Sequence, residues 1–387
     1  MTCRLFASGF RPTFLAAGLA ASLLVPVWVA TFVYGVALPN PWPPTLWHAH
    51  EMVFGFIAAA IAGFLLTAVP SWTGRRGFGG PPLALLIALW LAARLAIATA
   101  AWWPPALVAA LDVAFFPFLA ALIAPALLRA RNRNTPLLAV LVLLAACNGV
   151  FYWQLACHDA DLAVRAVRIA IDVTLILVTV IGGRVVPAFT SSALRAEAVK
   201  MRVLPGIGAA AVAAMAAVAL VDAVRPDGRL SAVVAGVAAA IQALRLAQWR
   251  GLSTLGRPIV WILHLGYAWL PLGLALKCAA LLGGYAAAAF WLHALTVGTL
   301  ATMILGVMTR AALGHTGRPL ELDPRMVVGY FLLLFAGLVR VFGFGVLGLP
   351  YPTVILIAAF LWTAAFALFL WVYAPILWRE RADGKPG

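Results

Sequence analysis

Charge is scarce in this sequence. Of 387 residues only 10% are Asp, Glu, Lys or Arg, while 65% are hydrophobic, and the mean hydropathy is +1.04. No water-soluble domain is this apolar, so the chain reads as a polytopic membrane protein in a lipid bilayer. Acidic residues are the scarcest, 12 against 27 basic, for a net charge of +15. Such an excess suggests nucleic acid only when it lies on a polar surface. Here it gathers in short loops, as cytoplasmic membrane loops require, and no nucleic-acid partner is expected. Cysteine is limited to Cys3, Cys147, Cys157 and Cys278, with no CxxC and no zinc spacing, which argues against a disulfide framework. There is no phosphate-binding glycine loop, no Ser/His/Asp constellation and no low-complexity stretch, and only ADGKPG at the end reads as a tail. The basic N-terminus precedes an apolar run too long for a signal-peptide core, so that run reads as the first span.

Apolar runs bounded by Pro, Gly and charge predict an all-α fold of about twelve transmembrane helices. They fall near 12–36, 47–70, 81–102, 105–128, 135–157, 162–184, 203–224, 229–247, 258–281, 287–312, 324–346 and 352–377. The loops are short, so 1–387 reads as a single transmembrane domain. Arg4 and Arg11 precede span 1, and Arg75 and Arg76 follow span 2. Arg129, Arg131 and Arg133 follow span 4; Arg184, Arg195, Lys200 and Arg202 follow span 6; Arg245, Arg250 and Arg257 follow span 8. Arg310, Arg318 and Arg325 surround the loop after span 10, and Arg379, Arg381 and Lys385 end the chain. Together these are twenty of the 27 basic residues, all on one side. The loops ALPNPWPP and WWPP on the other side carry none. Both termini are therefore expected in the cytoplasm, and His48 and His50 near the outer face.

The chain also repeats itself. His50 lies 24 residues before Gly74, and His293 lies 24 residues before Gly317. At this offset of 243, Gly55 meets Gly298, Ala58 meets Ala301, Gly63 meets Gly306, Thr73-Gly74-Arg75 meets Thr316-Gly317-Arg318, and Pro81 meets Pro324. VPAFT (Val186 to Thr190) matches VPSWT (Val69 to Thr73) more loosely, with Val167 where a histidine would fall. Three pseudo-repeated four-helix units follow, at about 1–130, 131–250 and 251–387, with spans 2, 6 and 10 equivalent.

Five of the six histidines lie in or beside spans 2, 9 and 10, and His158 reads as a solvated loop residue beside Asp159 and Asp161. An ionisable group inside a bilayer is expensive, roughly 2.5–3.5 kcal/mol for a charge at the centre on insertion scales, so each is a candidate for function. For any one of them the alternative is a neutral imidazole hydrogen-bonded between helices. His50 and His293 share a depth on equivalent helices and suit the axial positions of a buried haem. Gly55, Ala58, Ala59, Ala62, Gly63, Gly298 and Ala301 would leave room for its plane, or else serve close helix packing. His48 and His50 diverge by about 200° round a helix, so His48 faces elsewhere with Glu51 and Met52, and copper bound by imidazole and thioether is one reading. Trp261, His264 and Tyr267 share a face of span 9, and His264 and His315 lie in the cytoplasmic halves of their spans. His315 also simply takes the place that Trp72 and Phe189 hold in the equivalent segments.

Arg94 and Asp112 are equidistant from Trp103 across the WWPP turn and are expected to pair. Arg94 and Arg340 lie in the outer halves of equivalent spans and would hold haem propionates. Arg165, Arg168 and Asp172 share a face of span 6, either as a structural ion pair or as part of a site.

FRPTFL, WHAHEMVFGFIAAAIAGFLLTAVPSWTGR, RARNRNTPLL, IGGRVVPAFTSSALR, LHLGYAWLPLG, LHALTVGTLATMILGVMTRAALGHTGRPL and the DGKPG tail together resemble the NnrS family over nearly the full length. That resemblance implies a bacterial inner-membrane protein of the nitric oxide response and of denitrification. It also implies haem, expected to be b-type, and copper, with nitric oxide as ligand or substrate and an unidentified electron donor. His48, His50, His264, His293 and His315 stand within its motifs. The twelve spans and threefold repeat also resemble the catalytic subunits of haem–copper oxidases, which hold a bis-histidine haem between spans 2 and 10. Span 6 lacks their copper-ligand histidine, and span 7, GIGAAAVAAMAAVALV, carries no ligand. A copper or small-anion transporter is a further possibility, although spans 2 and 10 run in the same direction, which argues against inverted repeats. A non-catalytic partner of a respiratory nitrogen-oxide reductase is another.

Overall fold

The computed structural model describes residues 4–195, 201 and 203–385. Cys3, Lys200, Arg202 and the last two residues of the tail lie outside them. Among the described residues the secondary structure is entirely helical. Twelve helices are long and apolar enough to cross a membrane. They are α1 Phe10–Phe32, α2 Pro44–Thr73, α3 Pro81–Ala98, α4 Pro105–Arg129, α5 Leu137–Ala156 and α6 Ala160–Ala193. The series continues with α7 Ile207–Val224, α8 Arg229–Ala247, α9 Pro258–Gly283, α10 Ala286–His315, α11 Pro324–Phe342 and α12 Tyr351–Trp378. This is the all-α polytopic membrane fold expected from the apolar runs. Helices are the natural solution because hydrocarbon offers no partner for a backbone N–H or C=O. At 1.5 Å per residue, even the 18-residue α3 spans about 27 Å.

Local chemistry sets the helix ends. Proline opens α2, α3, α4, α9 and α11, where a missing N–H is harmless. Gly74 (φ 67°) and Gly317 (φ 70°) follow α2 and α10 in the left-handed conformation, so the two TGR motifs are equivalent terminators.

The chain divides into two compact units. The first comprises Met1–Ala170, Ala311–Leu320 and Phe366–Gly387. In it α1 packs on α2 through glycine: a Cβ on Gly63 would lie 2.4 Å from Phe14 and one on Gly9 2.3 Å from Leu66. Gly18 is covered in the same way by Phe369 and Leu370 of α12. Arg11 was expected before span 1. It lies instead inside α1, fully buried, and donates to the carbonyl oxygen of Leu377 (2.9 Å) and to that of Arg379 at the C-terminal end of α12. Carbonyls there have no helical partner, so the guanidinium serves as a cap.

The second unit comprises Ile171–Arg310 and Glu321–Ala365. Its core is the glycine-lined contact of α9 with α10, where Trp269 lies over Gly298 and Leu295 over Gly273. Arg245, expected in the loop after span 8, is a buried residue of α8. It donates to Thr179 O (2.8 Å) and Tyr267 Oη (3.1 Å).

Candidate functional site

Helix α2 is α-helical through His50. From Glu51 to Ile57 it opens into an i→i+5 hydrogen-bonded π turn and then resumes as an α-helix. Helix α10 does the same, with its π segment at Ala294–Ala301, one residue past His293. At the 243-residue offset Glu51 falls on Ala294, so the two distortions coincide. Widened turns leave carbonyls for side chains to collect. The indole of Trp90 donates to Gly55 O at 3.0 Å, and the Thr302 hydroxyl donates to Val297 O at 3.3 Å. Such turns are uncommon and concentrate at functional positions. Each π segment carries one glycine, Gly55 and Gly298, at the same place in the repeat, but no local pattern distinguishes either segment from an ordinary apolar helix.

Below His50 the first unit holds a buried polar cluster. Arg94 of α3 donates from Nη1 to Glu51 Oε1 (2.8 Å) and from Nη2 to Asp112 Oδ1 of α4. The pairing expected across the WWPP turn is therefore present, with Glu51 as an additional partner. Asp112 Oδ2 accepts from Asn148 Nδ2 (2.7 Å) and Tyr152 Oη (3.2 Å), both of α5. The imidazole of His50 fits between these groups. Its Nδ1 is 3.1 Å from Glu51 Oε1, and its Nε2 is 3.1 Å from both Asn148 Oδ1 and Asp112 Oδ2. Phe151 (4.5 Å) and Phe54 (4.9 Å) pack on the ring, and Trp42 approaches it edge-on.

Donor and acceptor counting fixes the protons. Asn148 offers its amide to Asp112, so its oxygen is what faces His50 Nε2, and that nitrogen must carry hydrogen. Nδ1 faces a carboxylate oxygen, so a second proton lies between His50 and Glu51. Charge leads to the same place: one guanidinium against two carboxylates leaves an excess negative charge, which the extra proton cancels. A medium of low dielectric favours that neutral set.

His48 turns the other way, as the helical geometry predicted, and stacks on Trp28 of α1 (4.2 Å, 25°). Met52 is half-buried. Glu51 is engaged by His50 and Arg94. His315 is exposed at the end of α10, with Phe10 5.7 Å from its ring.

The remaining candidates lie in the second unit. His264 is buried, and its Nε2 lies 2.8 Å from Thr190 Oγ1. That hydroxyl donates to Val186 O, so the imidazole carries its hydrogen on Nε2. Thr190 is the threonine of VPAFT, which ties the loose third copy of the repeat to α9. Beside it Tyr267 Oη donates to Gln242 Oε1 (2.6 Å). His293 is half-buried, with Phe290 6.5 Å from its ring. Arg340 lies on Phe290 (4.8 Å) and Tyr351 (5.5 Å).

The sequence reading missed Asn148, Tyr152, Gln242 and the ion pair of Lys277 with Asp222, which Ser231 supports from 2.6 Å. The available signal was polar residues four apart inside apolar α5, and a lysine and an aspartate within otherwise uncharged helices.

A family model described as NnrS protein matches residues 4–381. The chain belongs to the NnrS family. No curated protein matches it significantly.

The resemblance to NnrS proteins implies haem and copper, and the donor sets can be weighed against both. At His50 both ring nitrogens face protein oxygens. Iron at Nε2 would replace Asp112 and Asn148 there and leave Glu51 on Nδ1, the supporting position usual for a metal-bound histidine. Arg94, with two carboxylates on it, has little left to offer a propionate. The glycines expected to leave room are covered: Gly55 by Arg94 and Leu24, Gly63 by Phe14, and Gly298 by Trp269. At His293 the neighbour is the Phe290 ring, on whose face Arg340 also lies, so an aromatic ring and a buried guanidinium occur in that part of the second unit. For copper, no group of three or more His, Cys, Asp or Glu side chains able to hold a metal occurs among the described residues.

Proposed function

We propose that this NnrS-family protein is a haem-binding protein of the bacterial inner membrane that acts in the nitric oxide response, and that His50 and His293 are the residues that would hold the haem. The observation that carries this reading is the repeated distortion: each histidine directly precedes a π turn, at the same place in two equivalent membrane helices. A helix gives up regular hydrogen bonding in a bilayer only where something compensates. One histidine with such a turn can be explained by packing, but a matched pair points to a shared task.

Bound haem would supply a one-electron iron centre with affinity for nitric oxide. The chain supplies the rest. The apolar bundle admits a small neutral gas that partitions into lipid and excludes bulk water. Glu51 orients His50 through Nδ1. Arg94, Asp112 and Asn148 provide acceptors and donors that can hold a proton beside a changing charge. His48 with Met52 is the position we assign to a second metal such as copper, and His264 and His315 are separate candidates of the same ligand chemistry.

The test is spectroscopic. The protein is expressed with haem supply, purified in detergent and examined by absorption before and after addition of nitric oxide. The proposal expects a b-type haem spectrum that shifts on nitric oxide addition. A preparation that stays colourless under haem-replete expression is incompatible with it.

A further inference from the structure

Among the described residues four other cations of the membrane helices are more than nine-tenths buried, and each is held by a carboxylate or by a backbone carbonyl oxygen. Arg94 has Glu51 and Asp112, and Lys277 has Asp222. Arg11 has the terminal carbonyls of α12, and Arg245 has Thr179 O and the Tyr267 hydroxyl. Arg340 differs. It is only 8% exposed, and its Nη1 has no hydrogen-bond partner among the described residues. Its hydrogen bond is a long one from Nη2 to Tyr351 Oη, at 3.3 Å. Rings flank it: Phe290 (4.8 Å) and Tyr351 (5.5 Å) lie against the guanidinium and stack on each other (5.8 Å, 15°), and Phe344 stands edge-on to both at 6.2 and 6.1 Å.

The absence of a carboxylate is written into the sequence. Helices α9, α10, α11 and α12 contain no Asp or Glu, and at the 243-residue offset the Glu51 that serves Arg94 becomes Ala294. Ring faces attract a cation but do not neutralise it. A guanidinium with one terminal nitrogen unused is shaped to grip an oxyanion through two parallel N–H···O bonds. We infer that Arg340, with Tyr351 and the ring face of Phe290, forms a binding site for the oxyanion end of a ligand, a carboxylate or a phosphate. Three sources share that chemistry: a propionate of a bound haem, a lipid phosphate, and a small free oxyanion such as nitrite. The site rests on Arg340's own surroundings and stands whether or not the haem reading holds.

The experiment compares purified full-length protein with Arg340→Gln and Arg340→Lys, and with Tyr351→Phe as a variant that leaves the charge in place. Each preparation is assayed for haem content and tightly bound phosphorus, and for the change in thermal midpoint as sodium nitrite is titrated against sodium chloride. The inference expects at least one of these signals in the parent chain. That signal should be lost at least tenfold in Arg340→Gln, partly retained in Arg340→Lys and weakened in Tyr351→Phe. Haem content falling with Arg340 assigns the propionate, phosphorus the lipid, and a nitrite-specific midpoint shift the free anion. If Arg340→Gln does not fold, the lysine and phenylalanine variants carry the same comparison. Equal haem, phosphorus and nitrite response in the parent and all three variants overturns the site and reduces Arg340 to a ring-stacked structural cation. A colourless parent that keeps an Arg340-dependent phosphorus or nitrite signal separates failure of the haem proposal from failure of this one.

Discussion

Replacing Arg94 with glutamine should be the most damaging single change in the first unit, and a second substitution should undo part of it. Arg94 donates to Glu51 and Asp112 in a buried setting. Its loss strands two carboxylates whose only remaining counter-charge is a protonated His50. Removing one member of a buried ion pair costs about 3–5 kcal/mol. Glu51→Gln removes a negative charge that His50 can match by giving up its second proton, and the amide oxygen still accepts from Arg94 Nη1, so its main loss is the His50 Nδ1 hydrogen bond, about 1 kcal/mol. In the double variant Asp112 and His50 balance each other again. The pair should therefore be less destabilised than Arg94→Gln alone, with a coupling of about 1–3 kcal/mol. The assay is reversible unfolding of the detergent-solubilised protein in sodium dodecyl sulfate, followed by tryptophan fluorescence. Additive effects, or Arg94→Gln within about 1 kcal/mol of the parent, would show that the four groups are independent contacts rather than one charge-balanced set.

Other expectations are simpler. Gly298→Ala puts a Cβ 2.4 Å from the Trp269 ring and should cost about 1–3 kcal/mol, whereas Gly208→Ala, whose nearest neighbour is 3.6 Å away, should be neutral or slightly stabilising in the same titration. At the C-terminus, Arg381 grips Asp383 through both carboxylate oxygens and holds its carboxyl down to about 2 from the usual 3.8. Because the folded value is the lower one, this pairing favours the docked tail above about pH 4 and is lost as pH falls towards 2. Exchange of the Ala382 amide, which donates to Thr316 O at 2.9 Å, reports it; protection unchanged down to pH 2 contradicts the assignment. Thr190→Val removes the acceptor of His264 Nε2–H and should destabilise by about 1–3 kcal/mol, with Thr190→Ser largely restoring the parent value.

The twelve helices were legible because hydrocarbon leaves a coarse signature: long runs without charge, closed by Pro, Gly or Arg. The ends were less so. The run of span 6 stops near Arg184, yet α6 continues to Ala193, since VPAFTSSA is helical although its composition resembles a boundary. Arg11 and Arg245 read as loop anchors because composition cannot tell a side chain that reaches water from one that turns inward to a carbonyl. The pairing of Arg94 with Asp112 could be foreseen from equal spacing about one turn, whereas Asn148 and Tyr152 meet Asp112 through a packing of α5 that no local pattern states. The π turns were hidden for the same reason. Their sequence trace, a histidine and three glycine or alanine positions repeating at 243, was visible only as a repeat, and the change of hydrogen-bond register gives that repeat its physical content.

The central claim, haem held by His50 and His293, is tested most directly by low-temperature electron paramagnetic resonance of the oxidised, haem-loaded protein. The account predicts the low-spin signal of a bis-imidazole ferric haem in the parent chain. In both His50→Ala and His293→Ala it predicts conversion to a high-spin, five-coordinate signal or loss of the haem. A low-spin signal that survives unchanged in either variant would contradict the assignment of that histidine, and one that survives in both would contradict the account.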